Sequence, residues 1–339
     1  MHVQPGPAPS AERRPVTVAV APPSPSPGRR RLLRGAAAGL ALAVLGGGAA
    51  LLGAGREESA AVTVTETGGT MRLPWPKDGQ AGVAVTGLGV LGTSGEQKPV
   101  PIASVTKVMT AYVVLRDRPL RQGESGPRVT VDQRASDESH SLHESTVRIS
   151  AGQELTQRQL LELLLLPSGN NAARLLARWH SGTEEAFVAK MNRAAKELGM
   201  SRTTYTGPSG LEASTRSTAA DQLRLAEAVM RDEVFRSIVA TREVTVGGGT
   251  GTVVNTNKLL GTSGVVGVKT GSSTPAGGAL MWAAETGDGH GGGLILGVVL
   301  HQKANTTPAA GLQEAFDSSE RLITAARREL REARAVRRA

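Results

Sequence analysis

The chain has 339 residues, 39% hydrophobic and 20% charged, enough for one large domain or two modest ones with a buried core. It contains no cysteine, which excludes disulfides, thiolate metal sites and a cysteine nucleophile. The net charge of +9 sits at the ends: residues 1–34 carry six Arg against one Glu, and residues 321–339 seven Arg against two Glu. The body between them is close to neutral, so no nucleic-acid partner is expected.

Residues 1–34 are rich in Pro, Ser and Ala without apolar periodicity and end in Arg29, Arg30, Arg31 and Arg34; they read as a disordered basic tail on the cytoplasmic side. Residues 35–55 form an uncharged run of Ala, Leu, Val and Gly long enough to cross a bilayer core at helical rise. Because the arginines precede the run, the remainder is expected outside the membrane, and the run is read as a transmembrane signal-anchor. A cleaved signal peptide is the alternative, and the length of the run favours the anchor. Glycines between Gly39 and Gly53 argue against a buried helix of a soluble domain. Residues 56–78, with Thr, Glu, Gly and prolines around Trp75, read as a linker.

From 79 to 326 the pattern is globular. Residues 81–91 and 97–102 read as a short strand pair, and 104–115 as a helix. The apolar stretch 155–166 is a helix opened by a Thr156/Gln159 capping box and stopped by Pro167. Residues 171–179, 184–198 and 218–230 are further helices, and the Gly-bounded runs 265–270, 279–285 and 293–300 are strands. An Arg- and Glu-rich helix closes the chain, with 327–339 as its end or as a tail. Strands at both ends with helices between them predict an α/β (α+β) fold: one sheet built from N- and C-terminal pieces, with a helical subdomain inserted.

Three clusters carry candidate chemistry. In Ser104-Val105-Thr106-Lys107 the i, i+3 spacing puts the hydroxyl and the amine on one helix face, a nucleophile with its own base. The bland alternative is a helix cap followed by a surface lysine. Ser168-Gly169-Asn170 follows Pro167 at a break between helices, where a hydroxyl and an amide can point into one cleft; alone, it reads equally as an N-cap. Lys269-Thr270-Gly271 ends a strand: Lys and Thr suit a substrate carboxylate, and Gly271 leaves room for a chain to lie alongside. The amides of Ser104 and Ser272 are candidates for an oxyanion hole. A hairpin end with an exposed lysine is the alternative here.

Together, in this order and context, Ser-x-x-Lys, Ser-x-Asn and Lys-Thr-Gly are the set of penicillin-binding proteins and class A β-lactamases. Over about residues 80–325 the chain resembles the low-molecular-mass D-Ala-D-Ala carboxypeptidases, also through Ile102–Thr110, Ser168–Ala173, Asn255–Leu260 and Gly267–Gly271. The resemblance implies a β-lactamase/transpeptidase-like fold and a serine carboxypeptidase that removes the terminal D-Ala from peptidoglycan stem peptides and is trapped by β-lactams. It implies that Ser104 is acylated, Lys107 is the base and Ser168 relays a proton. Asn170 would hold peptide and base, Lys269 and Thr270 would bind the terminal carboxylate, and no metal or cofactor is implied. Asn171 stands where many relatives have Asp, and Ser272-Ser273-Thr274 replaces a bulkier start; both positions are expected to bear on substrate preference.

A class A β-lactamase would need a Glu-x-x-x-Asn loop between the second and third clusters, and none of the glutamates there has Asn four residues on. A transpeptidase shares the acyl-enzyme and stays open. A catalytically silent wall-binding protein has no need of a nucleophile beside a base. A phosphate loop at 261–270 fails because Val268 separates Gly267 from Lys269. His140, His143 and Glu144 lack zincin spacing and read as a solvated loop.

Overall fold

The computed structural model describes residues 62–63, 70–287 and 293–338. The tail 1–34 and the apolar run 35–55 lie outside these residues. No helix among those described is long and apolar enough to cross a membrane.

In chain order, β1 (Val62–Thr63), β2 (Thr70–Met71), β3 (Gln80–Val85), β4 (Gly89–Ser94) and β5 (Val100–Pro101) lead to a 3-10 turn, Ala103–Val105, that runs into α1 (Thr106–Asp117). A mostly helical region follows: β6 (Arg128–Thr130), α2 (Gln133–Glu138), β7 (Glu154–Thr156), α3 (Gln157–Leu165), α4 (Asn170–Ser181), α5 (Glu184–Glu197), β8 (Arg216–Ser217), α6 (Ala219–Val229) and α7 (Glu233–Val239). The hairpin β9 (Glu243–Val246) and β10 (Gly251–Val254) precedes three long strands, β11 (Val265–Ser273), β12 (Gly277–Glu285) and β13 (Leu294–Gln302), and then α8 (Pro308–Arg338).

The main sheet has the order β11-β12-β13-β3-β4, antiparallel throughout. Ala84 pairs with Leu296 and Gly82 with Val298, so an early strand sits between β4 and the last strand. Both faces are covered, and side chains alternate between them as strand geometry requires. Leu280, Trp282 and Ala284 of β12 join Phe316, Leu322 and Ile323 of α8 in one core. Ala279, Met281 and Ala283 face the other way and join the leucines of α3 and α4. The helix α8 crosses β12 at two glycines: a Cβ on Gly278 would lie 1.8 Å from the carbonyl oxygen of Gly311, so only hydrogen fits there.

Helix starts follow capping chemistry. Thr183, Thr218, Asp132 and Asp232 each accept a backbone N–H at the start of α5, α6, α2 and α7. At α3 the expected box forms in full, with Thr156 and Gln159 satisfying each other's backbone N–H.

Three expectations are corrected. The run 81–91 is not one strand but the hairpin β3–β4, reversed through Gly87 at φ 82° and Gly89 at φ 88°, which apolar neighbours mask in the sequence. Of 97–102 only Val100–Pro101 pairs, and it does so with Arg216–Ser217 rather than with β3. Within the stretch 56–78 read as a linker, Met71 and Leu73 are buried in the α8 core, because two apolar side chains suffice to draw a Thr- and Pro-rich segment onto it. The final arginines continue α8 without a break to Arg338.

Candidate active site

The 3-10 turn before α1 presents Ser104, and the first turn of α1 places Lys107 directly behind it. Lys107 is fully buried, and its Nζ lies 2.8 Å from Ser104 Oγ. The same nitrogen donates to Asn170 Oδ1 at 2.6 Å and to the carbonyl oxygen of Ser209 at 2.9 Å. Burial pushes the Lys107 ammonium well below the usual lysine range, and the charges of Lys269 and Arg174 push the same way. Glu144 and Glu212 oppose them.

Asn170 is the first residue of α4, and Gly169 before it is the N-cap. The backbone of Ser168 is at φ 68°, the left-handed region that non-glycine residues seldom occupy. Its Oγ is buried and has no hydrogen-bond partner among the described residues. Ser168 lies between two pinned points. Asn170 is tied to Lys107, and the Leu166 carbonyl accepts from the backbone N–H of Thr256, whose hydroxyl lies 2.6 Å from that of Thr270.

Lys269, Thr270, Gly271 and Ser272 belong to β11, the strand at the sheet edge nearest the 3-10 turn. Lys269 is buried, donates to the Thr270 carbonyl at 3.0 Å, and has its amine pushed down to about 7 by burial. A Cβ on Gly271 would lie 3.0 Å from the amide nitrogens of both Ser104 and Val105, so β11 lies against the Ser104 turn backbone to backbone. Ser104, Asn170 and Ser272 open onto one cavity of about 530 Å³, with Glu144, Leu142 and Leu211 among its other walls. Leu142 is 95% exposed and Leu211 50%, an apolar pair at the rim of a polar cleft.

Ser104, Lys107 and Asn170 are thus joined by hydrogen bonds, Ser272 opens onto the same cavity, and some partners were not foreseen. Glu144, read as part of a solvated loop, accepts from Asn170 Nδ2 at 2.6 Å and from both terminal nitrogens of Arg174. These contacts hold its carboxyl below the usual range, although burial pulls the other way. Two buried lysines near one seryl group imply a balancing carboxylate. That requirement is the only sequence-level signal for Glu144, and it does not say which glutamate answers. The 206–216 loop was also missed: Pro208 and Ser209 accept from Thr110 and Lys107 through their carbonyls, groups that every residue carries. Asn171 does not line the cavity. Its buried side chain donates to Ala135 O, Ser139 Oγ and Val147 O and accepts from Val147 N, which ties α4 to α2 and to the 139–147 segment. Ser272, Ser273 and Thr274 do line it. Among the described residues no cluster of His, Asp or Glu could hold a metal ion.

The family described as D-alanyl-D-alanine carboxypeptidase matches residues 84–303. The chain is similar to the D-alanyl-D-alanine carboxypeptidase DacF of Bacillus subtilis, at 31% identity over 64% of this chain and 56% of that protein. It is also similar to a D-alanyl-D-alanine carboxypeptidase of Streptomyces sp., at 36% identity over 58% of this chain and 71% of that one. The chain therefore spans little more than half the length of the Bacillus relative. The crystal structure of a Streptomyces DD-transpeptidase superposes with a TM-score of 0.63 at 31% identity, covering 73% of this chain and 95% of that one.

Proposed function

The chain belongs to the D-alanyl-D-alanine carboxypeptidase family, and we propose that it is a serine carboxypeptidase that removes the terminal D-Ala from peptidoglycan stem peptides through an acyl-enzyme on Ser104. The observation that carries this reading is the placement of Lys107. Two of its N–H groups are committed to Asn170 and Ser209, so the remaining position of a neutral amine is a lone pair facing Ser104 Oγ at 2.8 Å. Burial and neighbouring cations favour that neutral form.

Lys107 takes the hydroxyl proton as Ser104 Oγ attacks the carbonyl carbon of the penultimate D-Ala. The oxyanion that forms is met by the amides of Ser104 and Ser272. The C–N bond then breaks, and the leaving nitrogen receives a proton relayed from Lys107 through Ser168, whose unpartnered hydroxyl is free to serve it. Lys269 and Thr270 bind the terminal carboxylate, which in turn favours the charged form of Lys269. Water attacks the ester, the shortened peptide leaves, and Ser104 regains its proton. A β-lactam presents a carbonyl and a carboxylate in the same relation and acylates the same oxygen. Residues 1–34 would form a cytoplasmic tail and 35–55 an anchor, leaving the catalytic domain outside the membrane, where its substrate is.

The test is mass spectrometry after penicillin treatment together with D-Ala release from a peptide ending in D-Ala-D-Ala. A single adduct on Ser104, absent in Ser104→Ala, and released D-Ala are expected. Adduct retained in Ser104→Ala overturns the assignment, and binding without release supports a silent wall-binding protein. One structural neighbour is a DD-transpeptidase, so adding an acceptor amine and measuring the ratio of transfer to hydrolysis decides between the two fates of the acyl-enzyme.

A further inference from the structure

Asn170 sits between two groups of opposite character. Its Oδ1 accepts from Lys107 at 2.6 Å and its Nδ2 donates to Glu144 Oε2 at 2.6 Å. A carboxylate can only accept, so Glu144 decides which end of the amide faces the base; a flipped amide would point its oxygen at the carboxylate. Glu144 is itself clamped. Arg174 donates to its two oxygens at 2.7 and 3.2 Å, and Arg174 Nε donates to Glu138 at 2.9 Å. The side chains of Arg174 and Glu144 are only 9% and 12% exposed, so these contacts are little weakened by solvent.

Building on the proposed carboxypeptidase chemistry, we propose that Glu144 and Arg174 form a positioning pair for the general base: Glu144 locks Asn170 with its carbonyl toward Lys107, Arg174 holds Glu144 there, and their opposite charges balance one another beside the Lys107 amine. Neither residue belongs to the three sequence motifs. Both act through Asn170 and through the field at Lys107, with no contact to the reacting atoms.

The charged groups that face Lys107 come from four elements: Lys269 on β11, Arg174 on α4, Glu144 between α2 and β7, and Glu212 in the loop before β8. His143 lines the same cavity beside Glu144. Lys269 and Arg174 disfavour the ammonium, whereas Glu144 and Glu212 favour it. Removing the charge of Glu144 therefore leaves Arg174 with Glu138 as its carboxylate partner and lets Lys107 become neutral at lower pH. Removing Arg174 has the opposite sign.

The experiment measures the acylation rate constant of the full-length protein with labelled penicillin across pH, with thermal midpoints recorded alongside. The rising limb is expected to move to lower pH in Glu144→Gln, to higher pH in Arg174→Gln, and back towards the unaltered protein in the double variant. Glu144→Ala, which leaves the amide unheld, should lose up to about 100-fold on the plateau. Glu144→Asp and Arg174→Lys keep the charges and should leave the limb in place while lowering the plateau. These two variants keep the test open should a glutamine variant fail to fold. A limb that stays put in both glutamine variants, or moves the same way in both, overturns the proposal. So does a plateau loss that is uniform in pH and tracks the loss of thermal stability. No label on Ser104 in the unaltered protein would instead remove the carboxypeptidase reading, and this inference with it.

Discussion

Gly271 lies against Ser104 so closely that a methyl group on it would sit 3.0 Å from the seryl amide nitrogen. The neighbours of that methyl are backbone atoms of the 3-10 turn, namely the nitrogens of Ser104 and Val105 and the carbonyl oxygen of Ile102, and backbone cannot swing aside as a side-chain end can. The distance between β11 and the Ser104 turn is thus set by a missing side chain. Gly271→Ala should displace the strand by a few tenths of an ångström and slow acylation by labelled penicillin, with a loss of up to about 100-fold for a displacement near an ångström. Unchanged acylation in a folded variant would show that β11 does not gauge the site.

Ser168 carries a testable conflict between stability and chemistry. Its φ of 68° suits glycine, so Ser168→Gly should hold or raise the thermal midpoint. The hydroxyl proposed as the relay is lost in the same step, and acylation should fall by about 10²–10⁴-fold, the usual range for a general acid or base. A variant that is more stable and fully active would remove Ser168 from the proton path.

Lys269 makes the pH dependence of kcat/KM informative, because that quantity reports ionisations of the free enzyme. In the proposed mechanism the charged form attracts the carboxylate, and with the amine pushed down to about 7 by burial its charged fraction falls as pH rises through that value. For a peptide ending in D-Ala-D-Ala, a falling limb is expected there. Lys269→Arg, which stays charged, should carry activity further to the alkaline side. A limb at the same pH in that variant would assign the ionisation to another group.

Asn171 tests structure without touching substrate. It is fully buried; its two amide N–H donors are shared among Ala135 O, Ser139 Oγ and Val147 O, and its oxygen accepts from Val147 N. Asn171→Ala should cost about 2–4 kcal/mol of stability, at roughly 1 kcal/mol for each bond lost. Denaturant melts would detect this, and a loss within error would mean that the 139–147 segment is held by other contacts.

The parts of the site that could be read in the sequence are those in which spacing is enforced by local geometry. Ser104 and Lys107 are one helical turn apart, Thr156 and Gln159 close a box, and Lys269 to Gly271 are neighbours on one strand. What stayed hidden depends on contacts between segments far apart in sequence. Glu144 reaches Arg174 across 30 residues and Asn170 across 26. No period or motif marks such a pairing. The Lys107 contact with Ser209 spans 102 residues and uses a backbone carbonyl, so side-chain identity carries no trace of it. In the fold, the three long strands and the capped helices were visible, but the partner of Val100–Pro101 was not, since two paired residues make no pattern.

The insertion of β3 between β13 and β4 also governs when this molecule can act. Val83 pairs with Gly297, more than 200 residues later, so the strand that leads towards Ser104 joins β11, which flanks it, in one sheet only through β12 and β13. A chain still being synthesised therefore has no β11 beside Ser104 until residues 265–273 have been made. Such distant pairing also makes maturation slow compared with that of its local helices. The acyl chemistry proposed for Ser104 would begin only once β3 and β11 to β13 have joined in one sheet.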